Sequence, residues 1–223
     1  QLDGWGSVRV LRRGPDGWRH HSVLTPPELA DLELLGLNPG SAHLLGNRIA
    51  VATDAVTGRP ILPEIPGRVY IFEFNGTTWD LAAGLVATDI PAGLTPPPAY
   101  GFALRFANEN ELLVGSPGDR RWLGADPAGS YYVYQRHPTQ GWRFAYKVTQ
   151  PPAFEFAPRC TLGGPLRIDG DRAINVFRSL QRPVGYALEL RRSTTDGRWE
   201  LVDVVEFNDV RMNSRAEDYD FAG

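Results

Sequence analysis

The chain has 223 residues, of which 42% are hydrophobic and 22% charged, with a formal net charge of -3; this balance excludes a disordered chain and implies neither a nucleic-acid stripe nor a membrane-surface patch. Its single cysteine, Cys160, excludes an intrachain disulfide, and no apolar run approaches the ~18 residues of a membrane-spanning helix. The 24 Gly and 19 Pro follow no short period and punctuate turns.

In chain order, GSVRVLRRGPDGW (6–18) is the first element: a strand of period two, a PDG turn and Trp18. PPELADLELLGL (26–37) has helical spacing, with Pro27 to open and Gly36 to close a helix of one or two turns. SAHLL (41–45), a Gly46-Asn47 turn and RIAVATDA (48–55) then read as two strands, followed by a long connection and the hairpin GRVYIFEFNGTTW (67–79). YGFALRF (100–106), ELLVGSPGD (111–119) and GSYYVYQRHPTQGW (129–142) repeat that order. LGGPLRI (162–168), RAINVFRS (172–179) and GYALELRRSTTDGRW (185–199) repeat it again, and DYDFAG (218–223) resembles a further first strand. Trp18, Trp79, Trp142 and Trp199 close the four hairpins at intervals of 61, 63 and 57 residues, so the chain divides into units of approximately 1–27, 37–91, 98–151 and 160–208, with a C-terminal strand at 217–223.

Each full unit is four short antiparallel strands, and the first begins at its third strand. A sheet apolar on both faces is stable only between neighbours of its kind. The predicted fold is therefore all-β, a β-propeller of about four recognisable four-stranded antiparallel blades. The repeated Trp fills the wedge between blades with its indole N–H directed outward, and the Gly before each third strand allows close backbone approach or positive φ.

Residues 100–142 resemble an FG-GAP repeat, the blade unit of the integrin α-subunit propeller and of many bacterial secreted proteins. Tyr100-Gly101 stands for the family's Phe-Gly, Gly115-Ser116-Pro117 for its Gly-Ala-Pro, and Gly129-Ser130-Tyr131-Tyr132-Val133-Tyr134 for its Gly-Ser-x-Tyr-Val-Phe strand. The resemblance implies a secreted or cell-surface adhesion module. It also sets two blade counts side by side: a ring closed within this chain by the C-terminal strand, or a section of a larger, commonly seven-bladed propeller. Family calcium loops carry Asp-x-Asp-x-Asp-Gly, but the turns here are Gly46-Asn47, Asn108-Glu109-Asn110 and Asp169-Gly170-Asp171, too short for such a cage, so no calcium or other cofactor is expected.

Little else carries chemistry. His20, His21, His43 and His137 lack metal-ligand spacing and are expected at surface or edge positions; Cys160 is expected to be a buried structural thiol. Glu109, Glu111, Asp169 and Asp171 read as solvated turn acids, Glu217, Asp218 and Asp220 as a solvated end with an ion site as the second reading, and Asn75-Gly76-Thr77 as a turn rather than a glycosylation acceptor. No catalytic motif or metal set is present. The connections 53–67 and 116–129 exceed what a hairpin needs, and such loops often carry function. Arg59, Arg120, Arg121 and Trp122 in them have the composition of an interface hot spot. The expected function is a non-enzymatic binding or adhesion module presenting these loops to a protein partner. A carbohydrate-binding propeller is the alternative, and an enzyme with a central-channel site comes third. The N-terminal QLDGWGSV has no signal-peptide core, and removal of one before Gln1 is compatible with an extracellular or cell-surface location.

Overall fold

In the computed structural model, residues 8–25, 42–52, 67–89, 99–119, 129–151, 162–178 and 184–208 are described. The short helix expected in 26–37, Cys160, the centres of the two long connections and the acidic C-terminal strand lie outside them.

The described residues form fourteen strands and no helix. β1 (Val8–Gly14) and β2 (Gly17–Leu24) make a two-stranded sheet. β3 (Ala42–Leu45), β4 (Arg48–Ala52), β5 (Arg68–Phe74) and β6 (Trp79–Val86) make the second sheet. The third contains β7 (Ala103–Asn108), β8 (Glu111–Ser116), β9 (Ser130–His137) and β10 (Gly141–Thr149). The fourth contains β11 (Leu166–Asp169), β12 (Arg172–Arg178), β13 (Val184–Arg192) and β14 (Trp199–Asn208). In each four-stranded sheet the strands lie in chain order and pair antiparallel. Three repeats of four strands, preceded by the last two strands of another, are thus the architecture that the sequence spacing implies.

The sheets stack face to face in chain order, because alternate residues of each third strand serve different neighbours. Val69 and Ile71 of β5 join Tyr132 and Tyr134 of β9 in one core, whereas Tyr131 and Val133 of β9 join Leu188 and Leu190 of β13 in the next. Val8 and Val10 pack on a third core containing Tyr70 and Phe72. First strands lie beside first strands and fourth beside fourth. Gly129 shows how closely neighbours approach: its φ is +63°, and a Cβ there would lie 2.0 Å from the Leu162 carbonyl oxygen of the next unit.

One feature of the repeat is silent in the sequence. All four hairpins shift register at the same place, between Val10/Leu11, Ile71/Phe72, Phe144/Tyr146 and Glu189/Leu190. The extra residue, His21, Ala82, Ala145 or Val202, lies three positions after the hairpin Trp each time. A bulge increases local twist and re-aims the strand end, so the four fourth strands turn alike.

The tryptophans do not share one environment. Trp142 and Trp199 are buried, but Trp18 is 68% exposed, which corrects the expectation of a wedge at every hairpin. The reason is positional: each Trp packs toward the preceding sheet, and no described sheet precedes the first. Nor do the buried indoles bond outward; the Trp199 N–H donates inward to Glu111 at 2.8 Å.

Candidate binding site

The connections between second and third strands leave one common end of the stack, because Ala52, Ser116 and Arg178 close equivalent strands. Arg59, Arg120, Arg121 and Trp122 lie outside the described residues, whereas the residues that hold the base of 120–128 lie within them. Asp119 and Gly129 flank 120–128 and are pinned together, with the Gly129 N–H donating to the Asp119 carbonyl at 3.1 Å and the Asp119 N–H to Ser116 at 3.2 Å. The Asp119 carboxylate accepts from the Ser130 hydroxyl at 2.5 Å and pairs with Lys147.

Lys147, the only lysine in the chain, also donates to Asp89 at 2.8 Å and to the Tyr132 oxygen at 2.9 Å, and sits over the Tyr132 ring. Asp89 follows the second sheet, so this network ties two sheets at the loop end. Burial opposes ionisation of Asp89, but hydrogen bonds from Lys147 and Tyr132 outweigh it and hold the carboxyl below its ordinary range. Burial, reinforced by Asp89 and Asp119, pushes the Tyr132 phenol far up, which keeps it a neutral donor to Asp89 at 2.8 Å. Beneath it, Tyr100 donates to Tyr134 at 2.7 Å and Tyr134 to the Val86 carbonyl at 3.0 Å. Polar groups here satisfy one another, as buried ones must.

At the opposite end, where the tight turns lie, the sheets meet at charged corners. The backbone N–H of Arg136 donates to Asn110 and that of Arg192 to Asp171, each at 2.9 Å, which fixes these arginines at the ends of β9 and β13. Arg136 donates Nε to Glu73 Oε1 at 3.0 Å and Nη2 to Oε2 at 3.4 Å. Arg192 holds Glu111 in the same two-pronged way, at 2.5 and 3.3 Å, with its guanidinium over the Trp199 ring. Gln135 supplies a further donor to Glu111 at 3.1 Å. In each corner the preceding sheet gives the acid and the following sheet gives Arg and Trp. Burial works against Glu73, but the Arg48 hydrogen bond and the charges of Arg136 and Arg48 hold its carboxyl low; Trp142 adds to this without a hydrogen bond of ordinary geometry.

Glu111 is only 4% exposed, which overturns its reading as a solvated turn acid. It opens β8 rather than ending the turn, and the next sheet covers it. Glu109 and Asp171 do stay in solvent, at 70% and 83% side-chain exposure. Asn75 is the turn residue the sequence suggests, its Oδ1 accepting from the Thr77 and Thr78 N–H groups at 2.8 and 2.9 Å.

His43 lies on β3, an edge strand as expected, but faces the neighbouring sheet. It is half-buried against Phe106, its Nδ1 accepts the Phe106 N–H at 3.1 Å, and burial, then the charges of Arg105 and Arg167, lower its pKa to about 4. The three basic residues occupy equivalent first-strand positions, opposite Ala50, Leu113 and Ile174. No three His, Cys, Asp or Glu side chains among the described residues gather as metal ligands do, and no helix there is long and apolar enough to cross a membrane.

No protein-family model matches this chain, and no curated protein matches it.

Proposed function

We propose that the chain is a binding module of the FG-GAP-like propeller type, non-enzymatic, working outside the cell or on its surface. It uses the stacked sheets as a rigid scaffold and presents 53–66 and 120–128 to a protein partner. The observation that carries this is the common end: long connections leave equivalent strand ends, and the base of 120–128 is clamped by Asp119, Ser130 and Lys147. A loop whose ends are fixed loses less freedom on binding, so more of its contact energy appears as affinity. Half-buried Glu73 and buried Glu111 are engaged with Arg136 and Arg192 across sheet faces, Glu111 with the Trp199 N–H as well, a use that favours scaffold over catalysis.

A photo-crosslinking amino acid in place of Trp122, on protein applied to intact cells, tests the proposal. A protease-sensitive adduct that is lost on Arg120→Ala/Arg121→Ala supports it. Saturable binding to a glycan array that Trp122→Ala abolishes overturns it in favour of a carbohydrate-binding propeller.

A further inference from the structure

Three basic side chains occupy one position of the repeat. His43 on β3, Arg105 on β7 and Arg167 on β11 stand opposite Ala50, Leu113 and Ile174 of the second strands. The cross-strand partners show which way they face: Ala50 belongs to the core shared with the third sheet, and Leu113 to the core shared with the fourth. His43 and Arg105 therefore point toward the following sheet, and Arg167 takes the same side of β11, beside exposed Ile174. First strands are edge strands and adjoin one another, β3 against β7 and β7 against β11. The Phe106 N–H donates to His43 Nδ1 at 3.1 Å, which ties β3 to β7, so the neutral imidazole carries its proton on Nε2.

The two arginines are held together without an acid. Among the described residues neither makes an ion pair. The cross-strand row of Arg105 continues through Leu113 and Val133. That of Arg167 continues through Ile174 to Glu189, whose carboxylate is taken by Arg172 and Arg191, each at 2.8 Å. Asp169, two residues along β11 on the same side, forms no ion pair with Arg167. Burial and then the charge of Arg167 lower the pKa of Arg105, and both arginines act on His43 in the same sense. Arg167 reaches His43 in this way from beyond the third sheet, so the three side chains converge along the first-strand edge. An edge strand often carries a charge that blocks pairing with another chain. That use does not call for two cations within each other's field, nor for one that is half-buried, as Arg105 is. A cluster of one sign against low-dielectric walls instead concentrates ions of the other sign.

We infer that His43, Arg105 and Arg167 form an anion site on the first-strand edge, whose ligand is a dianionic tetrahedral oxyanion of the phosphate-monoester class. Two guanidinium charges balance the two charges of such a group, and their N–H forks suit its oxygens. The His43 Nε2–H adds a neutral donor without a third charge. A carboxylate, with one charge, would leave one arginine unbalanced. The site is separate from the loops at the strand ends and from the protein partner proposed for them.

Inorganic phosphate added to the full chain at constant ionic strength, with acetate as the singly charged comparison, tests this. The readouts are the arginine Nε–H NMR signals, assigned with Arg105→Gln and Arg167→Gln, and the melting temperature; circular dichroism checks that each variant folds. Phosphate should shift both signals saturably and bind at least about tenfold more tightly than acetate, and either Gln variant should weaken it at least about tenfold. Phosphate should also raise the melting temperature of the unaltered chain more than that of Arg105→Gln. The difference between the two is what counts, because phosphate also stabilises folded proteins by exclusion from their surface. Four results overturn the inference: no saturable shift, acetate binding as tight as phosphate, binding that survives both folded Gln variants, or binding lost instead in Arg12→Gln/Arg13→Gln at the first hairpin. Phosphate binding that appears only in Glu217→Gln/Asp218→Asn/Asp220→Asn also overturns it, because the occupant is then the chain's own acidic end.

Discussion

Glu111 and Glu109 stand two residues apart and do opposite things, which sets the residue scale of this molecule. Glu111 is covered and held by Arg192, Gln135 and the Trp199 N–H, so Glu111→Ala leaves a guanidinium and an indole donor without their acceptor. It should cost about 2–4 kcal/mol in urea denaturation, the range for breaking a covered pair from one side. Glu109→Ala should cost no more than about 1 kcal/mol, because its carboxylate lies in solvent at 3.5 Å from Arg48 and Arg48 keeps its closer partner Glu73. His43 gives the pH dependence. Its folded pKa of about 4 lies below the unfolded value of 6.5, so the unfolded chain binds the proton more tightly between those values. Stability is therefore full above about pH 6.5 and falls as pH drops toward 4. Because His43 is half-exposed, the loss should be on the order of 1–2 kcal/mol after allowing for screening, and His43→Asn should flatten thermal stability across that window.

At the scale of strands, the order of the hairpins was legible because it rests on local chemistry: period-two alternation, a Gly-containing turn and a Trp at the start of each fourth strand. The bulge three residues after each Trp was not, since His21, Ala82, Ala145 and Val202 have no one side-chain type in common and none that marks a bulge. The site was less legible still. The sequence drew attention to Trp122 and its neighbouring arginines, but the clamp of Asp89, Asp119 and Lys147 joins residues from two units, and only the stacking of sheets brings them together. The lone lysine was the one local hint. Close packing also makes glycine positions unequal. Gly129→Ala meets the Leu162 carbonyl at 2.0 Å as well as a positive φ. It should either prevent folding or cost more than about 3 kcal/mol. Gly141→Ala, with φ +71° and open space around it, should cost about 1 kcal/mol from backbone strain alone. Chemical denaturation of the two variants side by side checks the difference.

Among the described residues, the sheets are joined by shared apolar cores and by one acid-to-Arg/Trp corner at the turn end of each of two interfaces. Such stacking makes stability close to a sum over units and their nearest-neighbour interfaces. The pairs Glu73–Arg136 and Glu111–Arg192 should then be independent of one another although each is tightly coupled within itself. Double-mutant cycles in urea, with Glu→Gln and Arg→Met changes, measure this most directly. Glu111 and Arg192 should couple by about 1–3 kcal/mol, whereas Glu73 and Arg192, on different interfaces, should couple by less than about 0.5 kcal/mol. A Glu111–Arg192 coupling no larger than that between Glu73 and Arg192 would contradict the claim that carboxylate corners mate these sheets.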